Sequence, residues 1–484
     1  MGNLMKETMS GLIWKFAERC GAQGVSFIVS IILARLLSPD DYGTIALVTV
    51  IIELMRVFVD SGLGTALIQK KDADDIDFST VFYVNLAICI LLYAGMFLAA
   101  PLIAGFYGRP DLVPVIRVLG LTLIISGIKN VQQAFVSKNM LFKRFFFSTL
   151  GGTFGGAIIG IGMAYLGFGV WALVFQQLFQ AFADTLILWM TVKWRPKRTF
   201  SFKRLKSLFS FGWKLLISSL ISTIYSNIRP LIIGKVYSSA DLAYFNKGSQ
   251  FPYIVVTNIN SSIDSVLLPV MSKHQDDREN VMSMTRRAIT ISSYVMWPLM
   301  IGMFTVAEPL IRLMLTEKWL GCVPFLQIYC LTYGLEPIQT ANLNAIKAMG
   351  RSDLIMKLEI TKKTLGILIL VIAIPHGVLA IGASVLVYTV LASVINAFPN
   401  RKLLGYSYGQ QIRDIIPSLL LAVVMGIVIS PIALLPIGDF LIVFLQVCSG
   451  AIVYILLSKL LHFESYKYIM GYVMAILKKK SKNV

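Results

Sequence analysis

The feature that most limits what this chain can be is a succession of long apolar runs. Fourteen follow one another, at about 10–37, 42–66, 78–105, 112–138, 143–167, 170–192, 207–235, 240–270, 285–308, 322–348, 355–375, 377–399, 414–435 and 438–461. Most reach the roughly 20 residues that a helix needs to cross about 30 Å of hydrocarbon. Inside lipid the backbone must satisfy its own hydrogen bonds, which leaves helices or closed barrels, and these runs are too long for barrel strands. The chain therefore reads as an all-α integral membrane protein. Its balance agrees: 56% of 484 residues are hydrophobic and 14% charged, against about 25% charged in a soluble domain. The first run is interrupted by Lys15, Glu18 and Arg19 and has no cleavage-site pattern, so it reads as a permanent helix and not a signal peptide. The turns Gly167-Phe168-Gly169 and Pro375-His376-Gly377 are short enough to force helical hairpins.

The charge is distributed by topology. Connections on the side of the N-terminus carry Lys70 and Lys71, then Lys138, Lys143 and Arg144, then Lys193 to Lys206, and the tail adds Lys478, Lys479, Lys480 and Lys482. The opposite side offers Arg109, Arg312 and Lys318. Positive loops stay in the cytoplasm, so both termini are expected there, with an even number of spans. A formal net charge of +19 raises the question of nucleic acid, but no basic soluble domain exists and none is expected to bind. Cys20, Cys89, Cys322, Cys330 and Cys448 form no C-x-x-C pair and read as small apolar side chains. His274, His376 and His462 have no metal-ligand spacing, and no cofactor or metal is expected.

A weak repeat runs through the chain. Trp14-Lys15 returns as Trp213-Lys214, Arg35 and Ser38 with Asp41 return as Lys235 and Ser238 with Asp241, Pro101-Leu102-Ile103 as Pro309-Leu310-Ile311, and Leu121-Thr122 as Leu331-Thr332. The offset grows slowly from 199 to 210 residues. Six spans per copy give both copies one orientation, so two parallel six-helix lobes related by a pseudo-two-fold along the membrane normal are expected, with two further helices. The divisions are 1–192, a basic linker at 193–206, 207–402, and 403–484 with its basic tail.

The stretch Ile52-Glu53-Leu54-Met55-Arg56-Val57-Phe58-Val59-Asp60 places three charges on one face of an apolar helix. A charge at mid-membrane costs roughly 3 kcal/mol and usually faces water or a partner. Others recur: Lys15, Glu18 and Arg19 in helix 1, Arg117 and Lys129 in helix 4, Asp184 in helix 6, Lys214 and Arg229 in helix 7, Asp264 in helix 8 and Glu336 in helix 10. Local pairing of Glu53 with Arg56, or snorkelling of Lys15 and Arg19, would account for some. The set as a whole points to a hydrated cavity between the lobes. Lys15, Arg19, Arg56, Arg117, Lys129, Lys214 and Arg229 outnumber Glu18, Glu53, Asp60, Asp184, Asp264 and Glu336. The cations suit an anionic solute such as a phosphate or pyrophosphate head group, and the carboxylates are candidates for a coupled H+ or Na+. Gly152, Gly156 and Gly160 form a stripe that allows close helix contact or a sliding helix beside a gate. The acidic loop Asp72-Ala73-Asp74-Asp75-Ile76-Asp77 has D-x-D spacing but no nucleotide-binding domain around it, and reads as solvated.

The run Asp60-Ser61-Gly62-Leu63-Gly64-Thr65-Ala66-Leu67-Ile68-Gln69-Lys70, with Ser79-Thr80-Val81-Phe82 and Asn85-Leu86, resembles the polysaccharide-transporter family, as does Ala34-Arg35-Leu36-Leu37-Ser38-Pro39-Asp40-Asp41-Tyr42-Gly43. These are Wzx-type O-antigen or exopolysaccharide flippases of the multidrug/oligosaccharidyl-lipid/polysaccharide (MOP) superfamily. The resemblance implies a non-enzymatic transporter that moves undecaprenyl-pyrophosphate-linked oligosaccharide across the inner membrane by alternating access, with a cation gradient, alongside a polysaccharide polymerase and chain-length machinery. It implies that Arg19 and Arg56 meet the pyrophosphate. Two rival readings are a cation-coupled drug exporter of the same superfamily and a membrane-embedded polymerase or glycosyltransferase.

Overall fold

The computed structural model describes residues 2–60 and 62–481; the side chains of residues 2–13, 15, 16, 60, 211, 472, 473 and 475–481 lie outside the described set. Every regular element among the described residues is helical. The chain runs through α1 (Gly2–Leu36), α2 (Pro39–Asp60), α3 (Leu63–Gln69), α4 (Asp75–Tyr107), α5 (Leu112–Leu119), α6 (Leu121–Lys138), α7 (Phe142–Tyr165) and α8 (Val170–Thr191). It continues through α9 (Phe202–Val236), α10 (Ser239–Lys273), α11 (Arg278–Thr305), α12 (Ala307–Leu315), α13 (Val323–Gly334), α14 (Glu336–Ala348), α15 (Ser352–Ala373), α16 (Val378–Leu403), α17 (Tyr408–Ile429), α18 (Asp439–Leu460) and α19 (Glu464–Ser481).

Twelve of these helical spans are long and apolar enough to cross a membrane. Fourteen were expected, and the two that fall short do so for visible reasons. The tenth run is split into α13 and α14, 12 and 13 residues long, at Leu335 ahead of Glu336-Pro337. The eleventh is α15, a 22-residue helix loaded with Asp353, Lys357, Glu359, Lys362 and Lys363. The second run is also broken. It ends at Asp60, and Gly62 opens the short α3, where a Cβ on Gly62 would sit 3.3 Å from the carbonyl oxygen of Gly212 on α9. The basic tail is largely helical, as α19.

Both expected hairpins are present. Gly167 and Gly169 take φ of 80° and 52° between α7 and α8, and Gly377 takes 99° before α16, values that a side chain disfavours. The repeat is visible in atomic detail where α2 and α10 begin. Ser38 donates through Oγ to Asp41 Oδ2 at 2.6 Å, and Asp41 N donates back to Ser38 Oγ at 3.2 Å; Ser238 and Asp241 do the same at 2.6 and 3.1 Å. Each pair satisfies orphan donors of a helix N-terminus.

By compactness the chain divides into Met1–Ala243 and Tyr244–Val484. Compactness and sequence repeat are different criteria: α9, at the start of the second copy by repeat, packs in the first unit against α2, α3 and α4. The core of the first unit gathers Leu67, Phe78, Val81, Val131, Leu188 and Trp194. That of the second gathers Trp297, Ile338, Ala341, Ala345, Leu421 and Tyr454.

The acidic loop is not simply solvated. Asp74 caps α4 by accepting from Ile76 N and Asp77 N. The Asp77 side chain is fully buried and takes Lys70 Nζ on both oxygens at 2.7 Å, with Arg204 Nη1 at 3.2 Å. Arg204 also bonds Asp74, Lys197 pairs with Asp75 at 2.6 Å, and Trp194 Nε1 donates to Asp75 Oδ1 at 3.1 Å. Lys197 and Arg204 thereby bolt the basic linker to the start of α4.

Candidate functional site

Three helices of the first unit enclose a polar cavity of about 380 Å³. Arg56 reaches it from α2, Ser126, Lys129 and Gln133 from α6, and Gln177, Gln180 and Asp184 from α8. The spacings 126–129–133 and 177–180–184 put each trio on one helical face. Two polar stripes on otherwise apolar helices thus meet across a space that lipid cannot fill.

The glycine stripe brings these helices together. A Cβ on Gly152 would lie 2.7 Å from Asp184 Cβ, one on Gly156 2.8 Å from both Gln180 Cβ and the Gln176 carbonyl, and one on Gly160 2.8 Å from Gln176 Cβ. Backbone contact between α7 and α8 is possible only because these positions lack side chains. Gln180 Nε2 donates to Thr153 Oγ1 at 3.2 Å across the same seam. The stripe therefore fixes where α8 presents its polar residues.

Lys129 Nζ lies 2.5 Å from Asp184 Oδ2, with side chains 22% and 12% exposed. Asp184 Oδ1 is buried with no hydrogen-bond partner among the described residues. The pair cancels in charge. Arg56 remains: its Nε is buried without a hydrogen-bond partner among the described residues, and no ion pair among them reaches it. The cavity thus carries one uncompensated guanidinium, a fork of donors matched to phosphate or carboxylate oxygens. Burying it unmatched is costly, which marks it as poised for a ligand or for water.

In the second unit the matching stretch of α14 is uncharged. At an offset of 210 residues Lys129 corresponds to Gln339, which accepts from Asn396 Nδ2 on α16 at 3.2 Å. Nearby Asn342 and Gln411 exchange hydrogen bonds at 2.7 and 3.0 Å, and Asn400 Nδ2 donates to Asn342 Oδ1 at 2.6 Å. Amides thus link α14, α16 and α17 there without charge.

The remaining predicted residues are dispersed. Glu18 accepts from Thr149 Oγ1 at 3.1 Å. Arg19, Glu53 and Lys214 are exposed, and Arg229 is half-buried beside Pro230 in α9. Arg117 lies 4.3 Å from the centroid of the Phe97 ring and donates to its carbonyl at 3.4 Å. Asp264 accepts from Asn344 Nδ2 at 2.6 Å, and Glu336 from Gln339 Nε2 at 3.5 Å. The Lys15 and Asp60 side chains lie outside the described residues. Of the predicted set the cavity collects Arg56, Lys129 and Asp184. Ser126, Gln133, Gln177 and Gln180 were missed because only charges were sought; their three-and-four spacing to Lys129 and Asp184 was the available signal.

A family model described as polysaccharide biosynthesis protein matches residues 32–324. The chain is 27% identical over 448 residues to the teichuronic acid biosynthesis protein TuaB of Bacillus subtilis (strain 168), covering 90% of each. It is 23% identical over 446 residues to the lipopolysaccharide biosynthesis protein WzxC of Escherichia coli (strain K12), covering 88% of this chain and 89% of that one. Among solved structures, the lipid II flippase MurJ in an inward closed conformation matches with a TM-score of 0.74 at 16% identity, over 93% of this chain and 99% of that one. An inward-facing multidrug resistance MATE family transporter of the MOP superfamily matches at 0.60 and 14%, over 79% and 94%. These two likenesses establish the fold as one of the MurJ and MATE kind.

Proposed function

The chain belongs to the polysaccharide biosynthesis protein family of membrane transporters and flippases, and from that premise we propose that it moves lipid-linked oligosaccharide, with undecaprenyl pyrophosphate as the carrier, across a bacterial inner membrane. The observation that carries this reading is the lone uncompensated guanidinium of Arg56 in a wet cavity whose other charges cancel. At about 380 Å³ the cavity lies near the lower end of small-ligand sites, which run from about 300 to 1,000 Å³. It has room for a phosphate-bearing head group and not for a whole oligosaccharide. The head group is held through phosphate oxygens on Arg56, with Gln177, Gln180 and Gln133 as neutral donors, while the sugars and prenyl chain lie outside it.

Transport proceeds by alternating access of two lobes, with both termini cytoplasmic and the product passed to a polymerase. The Lys129 ammonium already neutralises Asp184, so a coupled cation is drawn from H+ or Na+ acting elsewhere, with Asp264 and Glu336 as candidates. The test is a proteoliposome assay scoring accessibility of a labelled polyprenyl-pyrophosphate-linked oligosaccharide on the far leaflet. Arg56→Gln should lower the rate by at least tenfold, while Arg117→Gln, stacked on Phe97 away from the cavity, should leave it within twofold. Equal rates for both variants, or efflux of a lipophilic cationic drug in place of lipid movement, refute the reading.

A further inference from the structure

A second cavity lies wholly in the second unit and takes no part in the site above. It is an open trough of about 750 Å³ between the later half of α10 and the first half of α11, floored by apolar groups such as Ile263, Val266, Val270, Ile291 and Val295. It spans Asn258 to Val270 along α10, roughly 18 Å at about 1.5 Å per residue. That is about the depth of one leaflet, half of roughly 30 Å. At one end the trough runs into a polar pocket of about 440 Å³, with which it shares Arg287, Ile291 and Tyr468. The two cavities form one amphipathic slot, carbon-lined along its length and charged at its mouth.

The charges at that mouth select the occupant. Arg286 is committed: its Nε and Nη2 bind Asp414 at 2.8 and 2.7 Å, and Asp414 also accepts from Tyr406 Oη at 2.7 Å. Arg287 stands 3.8 Å over the ring of Tyr468, which fixes the guanidinium without neutralising it. No carboxylate among the described residues pairs with it. Glu464 lines the same pocket from the first turn of α19; it feels the charge of Arg286 but makes no close ion pair among the described residues. A cation and an anion, neither held in a close ion pair, therefore face a single pocket, at the end of a slot that fits an acyl chain.

We propose that this slot holds a glycerophospholipid with a zwitterionic phosphoethanolamine head group, its phosphate on Arg287, its ammonium on Glu464 and one acyl chain in the trough. A monoanionic head group such as phosphatidylglycerol satisfies Arg287 but leaves Glu464 facing phosphate. A pyrophosphate adds more negative charge against that carboxylate than one free guanidinium offsets. A phosphocholine head group carries no N–H for Glu464 to accept. The ethanolamine head group alone among these supplies both signs and a donor. A lipid wedged between α10, α11 and α19 makes transporter stability sensitive to head-group chemistry.

The test uses the full chain, purified and stripped of lipid, with phosphatidylethanolamine, phosphatidylglycerol, phosphatidylcholine and polyprenyl pyrophosphate added singly and in competition. Retention is read by native mass spectrometry and thermal stability in parallel. Phosphatidylethanolamine should be retained roughly threefold to tenfold better than the other two phospholipids, the range that one or two half-exposed charge contacts supply. Arg287 and Glu464 are both exposed, so Arg287→Gln and Glu464→Gln should fold. Each should bring the preference to within twofold, and Glu464→Gln should turn it toward phosphatidylglycerol. A preference for phosphatidylglycerol in the unaltered protein overturns the proposal, as does a phosphatidylethanolamine preference that survives both substitutions. Displacement of phosphatidylethanolamine by polyprenyl pyrophosphate at equal concentration overturns it too, and gives the slot to the transported lipid. Because Arg56 is untouched in every arm, failure here leaves the proposed transport reading standing.

Discussion

The Lys129–Asp184 pair can be tested by removing its charges singly and together. Lys129→Gln leaves a carboxylate whose Oδ1 already lacks a partner among the described residues and whose Oδ2 then loses an ammonium at 2.5 Å. Breaking a buried ion pair costs about 3–5 kcal/mol because the survivor remains unmatched. The side chains here are 22% and 12% exposed to the cavity, so water offsets part of that, and about 2–3 kcal/mol is the expected loss. Asp184→Asn strands the ammonium at a similar cost. The double exchange, Lys129→Gln with Asp184→Asn, leaves two amides able to hydrogen-bond each other, as Asn396 and Gln339 do at 3.2 Å in the second unit. It should recover most of the loss and fall within about 1 kcal/mol of the parent, since replacing both partners of a buried pair is far cheaper than removing one. The measurement is a thermal-unfolding cycle of the four proteins in one detergent, read with lipid-linked oligosaccharide translocation. If the double variant unfolds at or below the temperature of the worse single one, the assignment of the single-variant losses to a stranded charge is refuted. If it is stable and transports normally, the pair is a strut and Arg56 alone supplies the electrostatics.

Two further outcomes follow from the geometry. Gly156→Ala puts a Cβ 2.8 Å from Gln180 Cβ and the Gln176 carbonyl, whereas Gly162→Ala meets nothing within 4 Å; the first should cost about 1–3 kcal/mol and at least tenfold in transport, the second should be neutral or gain up to about 1 kcal/mol from helix propensity, and equal unfolding temperatures refute the close α7–α8 seam. The hydrogen bond from Arg204 holds the Asp74 carboxyl down at about 2 from an ordinary 3.8; a depressed carboxylate lends its support above the ordinary value and loses it as pH falls through the depressed one, so protease cleavage in the 193–206 linker should stay slow at pH 4 and rise between about 3.8 and 2, whereas Arg204→Gln should be cleaved faster already at pH 4, an unchanged profile counting against the latch.

What could be read in the sequence divides along physical lines. Apolar length is a local property, so the helices at 75–107, 142–165 and 378–403 lie close to the runs that announced them. Breaks are not announced in that way. The second run continues through Gly62 in hydropathy, yet the chain turns there because Gly62 and Gly212 approach backbone to backbone, a contact between positions 150 residues apart. Helix α19 was hidden for the opposite reason: Lys478, Lys479 and Lys480 mark its end as a basic tail, while the groups that dock its first turns, Tyr468 beneath Arg287 and the buried Ser465, depend on a partner helix far away in sequence. Asp77 looked solvated because its neighbours are acidic; its partners Lys70 and Arg204 come from either side of the loop.

The site shows the same division, and it bears on how a duplicated fold acquires direction. Intramembrane charge singled out Arg56, Lys129 and Asp184, which line one cavity, because ionised groups are costly against lipid. The amides that complete the cavity carry no such penalty and showed themselves only as stripes three and four residues apart. In the first unit the stripes hold an ion pair beside a free guanidinium; in the second, the amide donors of Asn396, Asn342, Gln411 and Asn400 are engaged within the network, while the Asn396 and Asn400 Oδ1 atoms have no partner among the described residues. A neutral network whose donors are engaged has little to offer a phosphate. On the proposed transport reading, that asymmetry places the phosphate-bearing head group in the first unit, where a guanidinium stands free, and leaves the second to pack without an anion.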